Sequence, residues 1–152
     1  MIRAVFFDFG TIFSADGEPL PGAGGFIRSC AERFPLLAMT SGRYAAAENS
    51  LKNAGVAAFF LDILSAAEVE HRKPAPDLLL ATLGRIGFRL RDRNPIEPRE
   101  CLVIESSLDG IEAARRAGMR SLAIANSATN ADFVRESFTA IDLDEILRAC
   151  AA

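Results

Sequence analysis

An aspartate, Asp8, closes the apolar run at Ile2 to Phe7, and other polar residues stand in comparable places further along the chain. Thr40 and Ser41 follow the apolar run Pro35 to Met39, and Glu105 and Ser106 follow Cys101 to Ile104. Lys73 lies in a short basic segment between the run Leu61 to Leu64 and a helix-like stretch that opens at Pro76. Two carboxylates, three hydroxyls and an ammonium form a set suited to a phosphate beside a divalent cation. Asp8 is the candidate nucleophile. Hydroxyls and the free N–H groups at helix starts receive an anion, and Lys73 adds a point charge. Asp8 and Glu105 offer hard oxygens to Mg²⁺, an ion that keeps several waters and uses one or two protein carboxylates.

These residues share a site only if the chain places them at one edge of one sheet. The five runs Ile2 to Phe7, Pro35 to Met39, Leu61 to Leu64, Cys101 to Ile104 and Ser121 to Ala125 have the length and content of fully buried strands. Helical spacing fills Arg43 to Ala54, Pro76 to Ile86 and Leu108 to Ala117; the first ends at Gly55 and the last at Gly118, both suited to a left-handed cap. Strands alternating with helices predict a three-layer α/β/α fold of Rossmann-like type, a parallel sheet with helices on both faces. Ligands of such sheets bind outside the carboxyl ends of the strands, where the polar residues stand. Residues 13–22, containing Asp16-Gly17, read as a small β-hairpin flap with a two-residue turn. At the C-terminal end we expect a helix over Ala131 to Glu136 capped by Thr129 or Asn130, a short strand at Ala140-Ile141, and a helix from Leu143 to Cys150.

With 152 residues, half of them apolar, the chain is expected to form one domain over residues 1–152 that holds a core without disulfides. A net charge of −3 and no basic run argue against a nucleic-acid or anionic-membrane partner. Apolar stretches such as Ala57 to Leu61 are far short of the roughly 20 residues that span a bilayer, and no signal-peptide pattern opens the chain, so a cytoplasmic protein is expected. Cys30, Cys101 and Cys150 read as reduced thiols.

Four segments together resemble a known family. VFFDFGTIF at Val5 to Phe13, LLAMTSG at Leu36 to Gly42, HRKPAPDLL at His71 to Leu79 and CLVIESSLDGIEAARRAGM at Cys101 to Met119 are similar, in order, to the four motifs of the haloacid dehalogenase superfamily, in its phosphoglucomutase-like and phosphatase-like branch. The resemblance implies that Asp8 attacks phosphorus and becomes an aspartyl-phosphate. It also implies that Thr40, with Ser41 and Gly42, binds the phosphoryl group together with Lys73. Asp8, the Gly10 carbonyl, Glu105 and Ser106 are the implied ligands of Mg²⁺.

Three departures qualify this. The family phosphatases read Asp-x-Asp-Gly-Thr where this chain has Asp8-Phe9-Gly10-Thr11, so their acid-base Asp is missing, a loss of about 10² to 10⁴ in rate. Motif IV has Ser106 where the family places a metal-binding Asp, and Asp109 falls at a variable position. No cap domain fits between Phe13 and Pro21-Gly22, which leaves the site open to a large substrate or to cover by a second copy of the chain in a homo-oligomer.

Plainer readings stand beside these. Asp8 reads also as a residue bonding N–H groups in a turn. Thr40-Ser41 and Ser106-Ser107 read as caps of the helices that follow them, Glu105 as a structural partner of Arg115 or another base, and His71, Arg43 and Tyr44 as surface residues. Three functions remain: a slow Mg²⁺-dependent phosphomonoester hydrolase, a degenerate relative binding a phosphorylated ligand or a protein without turnover, and a dehalogenase-like hydrolase.

Overall fold

Six strands pair, all in parallel, in the computed structural model, which describes residues 1–91, 93–125 and 130–152. They are β1 (Ala4–Asp8), β2 (Leu36–Thr40), β3 (Asp62–Ser65), β4 (Cys101–Glu105), β5 (Arg120–Ile124) and β6 (Phe133–Arg135), in the order β3-β2-β1-β4-β5-β6. The helices are α1 (Phe9–Ile12), α2 (Ala23–Ala31), α3 (Tyr44–Asn53), α4 (Asp77–Leu90), α5 (Leu108–Ala117) and α6 (Leu143–Ala151). The chain builds outward from β1 through β2 to β3, then returns to the other side of β1 and builds outward again from β4. The strand order therefore reverses between β1 and β4, which opens a crevice at their carboxyl ends.

Side chains alternate across the sheet and divide the core in two, as the period of a strand requires. Val5, Phe7, Leu36, Ala38, Leu102 and Ile104 face one way, onto buried residues of α2, α3 and α6 such as Ile27, Leu51 and Ile146. Ala4, Phe6, Leu37, Met39, Cys101 and Val103 face the other, onto Leu79 and Ile86 of α4 and Ala113 and Ala114 of α5. The expected three-layer α/β/α architecture is the one observed. Phe7 anchors the first layer with its ring edge-on to Phe26 at 5.9 Å and to Phe60 at 5.7 Å, geometries that aromatic quadrupoles favour. Burial pushes the Cys30 and Cys101 thiols up to about 12, and all three cysteines are free.

Several local expectations are corrected. Ala131 to Glu136 is no helix: Phe133–Arg135 pairs with β5, because an aromatic and a β-branched residue beside an open strand edge gain more from the ladder than from one isolated helical turn. Asn130 caps nothing there, and Thr129 lies outside the described residues. The strand expected at Ala140-Ile141 is replaced by a 3₁₀ turn over Phe138–Ala140. α4 runs to Leu90, through Gly84 and Gly87, because its opposite face packs Leu78, Leu79, Thr82 and Ile86 into the core. Residues 13–22 form a minimal hairpin with one bridge, Phe13 to Pro19. Its loop has three residues rather than two: Ser14 N–H donates to the Glu18 carbonyl and Gly17 N–H to the Ser14 carbonyl, with Gly17 at φ 81°. No described helix is long and apolar enough to cross a membrane.

Candidate active site

Four of the strands carry a polar last residue inside the ladder, three of them at ends that the sequence reading singled out and the fourth, Ser65, at one it did not. Asp8 ends β1, Thr40 ends β2, Ser65 ends β3 and Glu105 ends β4. Phe7 is level with Ile104, so Asp8 and Glu105 lie side by side across the point where the strand order reverses. Thr40 is level with Ser65 one strand further out. Lys73 enters this row from the loop before α4.

Its ammonium joins the two carboxylates. Lys73 Nζ donates to Asp8 Oδ1 at 3.0 Å and to Glu105 Oε2 at 2.6 Å. The Lys73 side chain is 17% exposed, that of Asp8 13% and that of Glu105 1%. Burial by itself lowers the Lys73 pKa, but the charges of Glu105 and Asp8 outweigh it and hold the ammonium above its ordinary range. For Glu105, burial and the nearby Asp8 charge raise the pKa, while Lys73 and the Ser106 amide act against that rise.

Glu105 has little left to offer an ion. Its Oε1 accepts from the N–H groups of Ser106 and Ser107 and from the Ser107 hydroxyl, and its Oε2 accepts from Lys73. The base that pairs with Glu105 is Lys73 rather than Arg115, which binds Glu112 on its own helix. A Cβ added at Gly110 would fall on the Glu105 carboxyl, so α5 can pass over this buried charge only with glycine there.

Asp8 is held from a second side. The Thr11 hydroxyl donates to Asp8 Oδ2 at 3.0 Å, and its oxygen lies 3.0 Å from Ser106 Oγ. A hydroxyl has one proton to give, so Ser106 supplies the proton of that second bond. The missing residue in motif I explains the contact: with Thr11 three positions after Asp8, the single turn α1 brings its hydroxyl back over the carboxylate. Gly10 lies against the same oxygen, where an added Cβ would stand 3.3 Å from Asp8 Oδ2.

The side expected to receive an anion is built at the end of β2. Gly42 N–H donates to Thr40 Oγ1 at 3.0 Å, and the Ser65 hydroxyl donates to the Gly42 carbonyl at 2.7 Å, which pins the turn ahead of α3. The cap expected from Thr40-Ser41 is not made; Arg43 is the N-cap residue of α3, without a side-chain bond. Of the pair Ser106-Ser107, only Ser107 caps α5, accepting from Gly110 N–H, while Ser106 serves Thr11. Asp8, Gly10, Thr40, Ser41, Gly42 and Lys73 line one cavity of about 810 Å³. Phe9, Leu78 and Leu108 give it apolar walls. His71 is an exposed loop residue against Asp77, and Tyr44 is exposed, as the plainer readings had them.

Three contributors, Ser65, Arg72 and Thr11, escaped the sequence reading. Arg72 lines the cavity and donates to the Ser41 carbonyl at 3.1 Å, tying the Lys73 loop to the Thr40 loop. Its place beside Lys73 was the available signal. Thr11 had only its spacing from Asp8.

The metal expectation fares differently. Among the described residues no three His, Cys, Asp or Glu side chains group as ligands. Of the four expected ligands, Glu105 is committed to Lys73 and to the α5 N–H groups, and Ser106 to Thr11. What remains is Asp8, already bridged between an ammonium and a hydroxyl, with the Gly10 backbone. A single carboxylate so engaged is the lower limit of what Mg²⁺ uses, and these donors do not fit a dedicated ion site.

Comparison with known proteins agrees with the strand-end geometry. A family model described as a haloacid dehalogenase-like hydrolase matches residues 2–118. Fructose-1-phosphate phosphatase YqaB of Escherichia coli is 36% identical over 102 residues, 67% of this chain and 50% of that protein. The chain spans about half the length or less of the curated relatives it matches first. In fold it is similar to a β-phosphoglucomutase from Clostridium difficile, with a TM-score of 0.78 at 17% identity over 99% of this chain and 98% of that one. It is also similar to YfnB of Bacillus subtilis, a HAD-hydrolase bound to magnesium, with a TM-score of 0.69 at 18% identity over 90% and 56%.

Proposed function

Because the chain belongs to the haloacid dehalogenase-like hydrolase family, we propose that it is a phosphomonoester hydrolase in which Asp8 takes the phosphoryl group. The observation that carries this reading is Lys73 Nζ held 3.0 Å from Asp8 Oδ1, in a cavity that also contains the Thr40 to Gly42 turn. A phosphate placed there meets an ammonium and the backbone N–H groups leading into α3, a ten-residue helix whose dipole favours an anion. Phosphoryl transfer depends chiefly on such positioning and charge stabilisation.

The chemistry has two steps. A carboxylate oxygen of Asp8 bonds to phosphorus as the bond from phosphorus to the ester oxygen breaks, and the departing alkoxide takes a proton from water. Water then attacks the phosphorus of the aspartyl-phosphate, releasing inorganic phosphate and restoring Asp8. The turn Phe9 to Thr11 supplies no carboxylate to move either proton, so both steps run without the general acid and base that typically add about 10² to 10⁴ in rate. A slow enzyme follows.

Leu108, 72% exposed, and Phe9 line the cavity and give its mouth an apolar edge. A bulky substrate or a second copy of this chain would cover it. The test is hydrolysis of p-nitrophenyl phosphate by purified protein, which should exceed that of an Asp8→Asn control; equal rates would overturn the reading. A phosphate-binding protein without turnover is the second reading, favoured by the full commitment of Glu105 to Lys73 and α5.

A further inference from the structure

Every polar partner of Asp8 that the structure shows is one that leaves a cation little room. Lys73 sits on one oxygen and Thr11 on the other, both at 3.0 Å. Behind Thr11, Ser106 completes a chain of hydroxyls that ends on the carboxylate. The neighbouring Glu105 is closed off by four donors. A divalent cation entering here would meet one shared carboxylate and lie close to a resident ammonium. Like charges at contact distance in a partly buried site repel, and a doubly charged ion is repelled twice as strongly as a single charge. The ammonium between Asp8 and Glu105 already offsets part of their charge, and Arg72 lines the same cavity together with Asp109.

We propose that Lys73 and the Ser106–Thr11 hydroxyl pair are the standing partners of the Asp8 carboxylate in place of a divalent cation, so that this pocket takes up a phosphate anion without metal. The inference rests on the phosphate reading above and deepens it. It makes Ser106 the residue that keeps the ion out: a carboxylate at that position would stand beside Asp8, displace the Thr11 bond and add a second acid that, unlike Glu105, is not committed to Lys73 and the start of α5.

Isothermal titration calorimetry with inorganic phosphate, on the full chain, tests this in buffer containing EDTA and in buffer containing Mg²⁺. The wild-type affinity should agree between the two buffers within about twofold, and Mg²⁺ titrated alone should give no heat that depends on Asp8. Ser106→Asp, checked for folding by circular dichroism, should gain Mg²⁺ binding and a phosphate affinity that rises about tenfold or more with the ion. Wild-type phosphate binding seen only with Mg²⁺, or a Mg²⁺ heat lost in Asp8→Asn, would overturn the inference and leave the phosphate reading standing. No phosphate binding in either buffer would overturn both. A folded Ser106→Asp protein indifferent to Mg²⁺ would contradict the role given to Ser106.

Discussion

Lys73 is shared between two carboxylates, one of them fully buried, so its removal has a structural cost separate from any loss of substrate binding. Taking one partner from a buried ion pair typically costs about 3–5 kcal/mol, and the partial exposure of Lys73 places Lys73→Met near the lower end. Glu105→Gln in the same chain removes the stranded charge while keeping an oxygen for the Ser106 and Ser107 amides. Urea unfolding should therefore show Lys73→Met/Glu105→Gln to be more stable than Lys73→Met alone; additive losses would count against the pair. The pH dependence has a definite sign. Without the ammonium, burial and Asp8 keep the Glu105 pKa above its ordinary 4.5, which disfavours the charged form in the fold. The two variants should converge below pH 4.5, and Lys73→Met should fall behind as pH rises through the raised value. In the wild type, the contribution of Lys73 is present below its ordinary 10.5 and is lost as pH rises through its raised pKa. Asp8, Thr40 and Lys73 were legible because each stands at the end of an apolar run or just before a helix. The bonds of Thr11 and the saturation of Glu105 were not, since they depend on how β1 and β4 lie beside one another.

Among the elements, α5 shows most clearly how a helix is fitted to the site beneath it. Its start is fixed by Ser107, whose hydroxyl accepts from Gly110 N–H and also donates to Glu105, and its end by Gly118 at φ 75°. Its outer face carries Glu112 bridged to Arg115 and Arg116, bonds that lower the Glu112 carboxyl to about 2. Its inner face comes so close to Glu105 that Gly110→Ala sets two effects against each other. Alanine favours the helix by about 1 kcal/mol, but overpacking a closed core costs about 1–3 kcal/mol and here displaces a bonded carboxylate. Net destabilisation in thermal unfolding is expected, with weakened phosphate binding; a gain in stability would show that Glu105 is not held as described. The ends of α5 were legible from Ser107 and Gly118. The full length of α4 was not, because the apolar spacing read from the sequence stops at Ile86 while the helix runs on to Leu90. β6 was misread for a related reason: a three-residue edge strand has no periodicity of its own and takes its form from β5.

At the scale of the molecule, the parallel sheet does one chemical task by bringing β1 and β4 side by side. Residues 97 positions apart in sequence, Asp8 and Glu105, become neighbours only because the strand order reverses between them. That architecture was legible from the alternation of apolar runs and helical stretches, and the family resemblance pointed to Asp8 as the candidate nucleophile. What the chain's departures from the family mean for turnover was not legible, because a missing residue in a motif does not say which neighbour moves into its place. Thr11 does so here, and the Asp8 carboxylate is held by a hydroxyl where the resemblance implies an acid-base carboxylate. Such a site should accept a phosphoryl group from a donor whose leaving group needs no proton, and should then release it slowly. Acetyl phosphate is such a donor, since acetate departs as the anion. Intact-mass measurement after incubation with acetyl phosphate should show a gain of one phosphoryl group in the wild-type chain and none in Asp8→Asn. An unmodified wild-type mass, with and without Mg²⁺, would contradict the assignment of Asp8 as the phosphoryl acceptor.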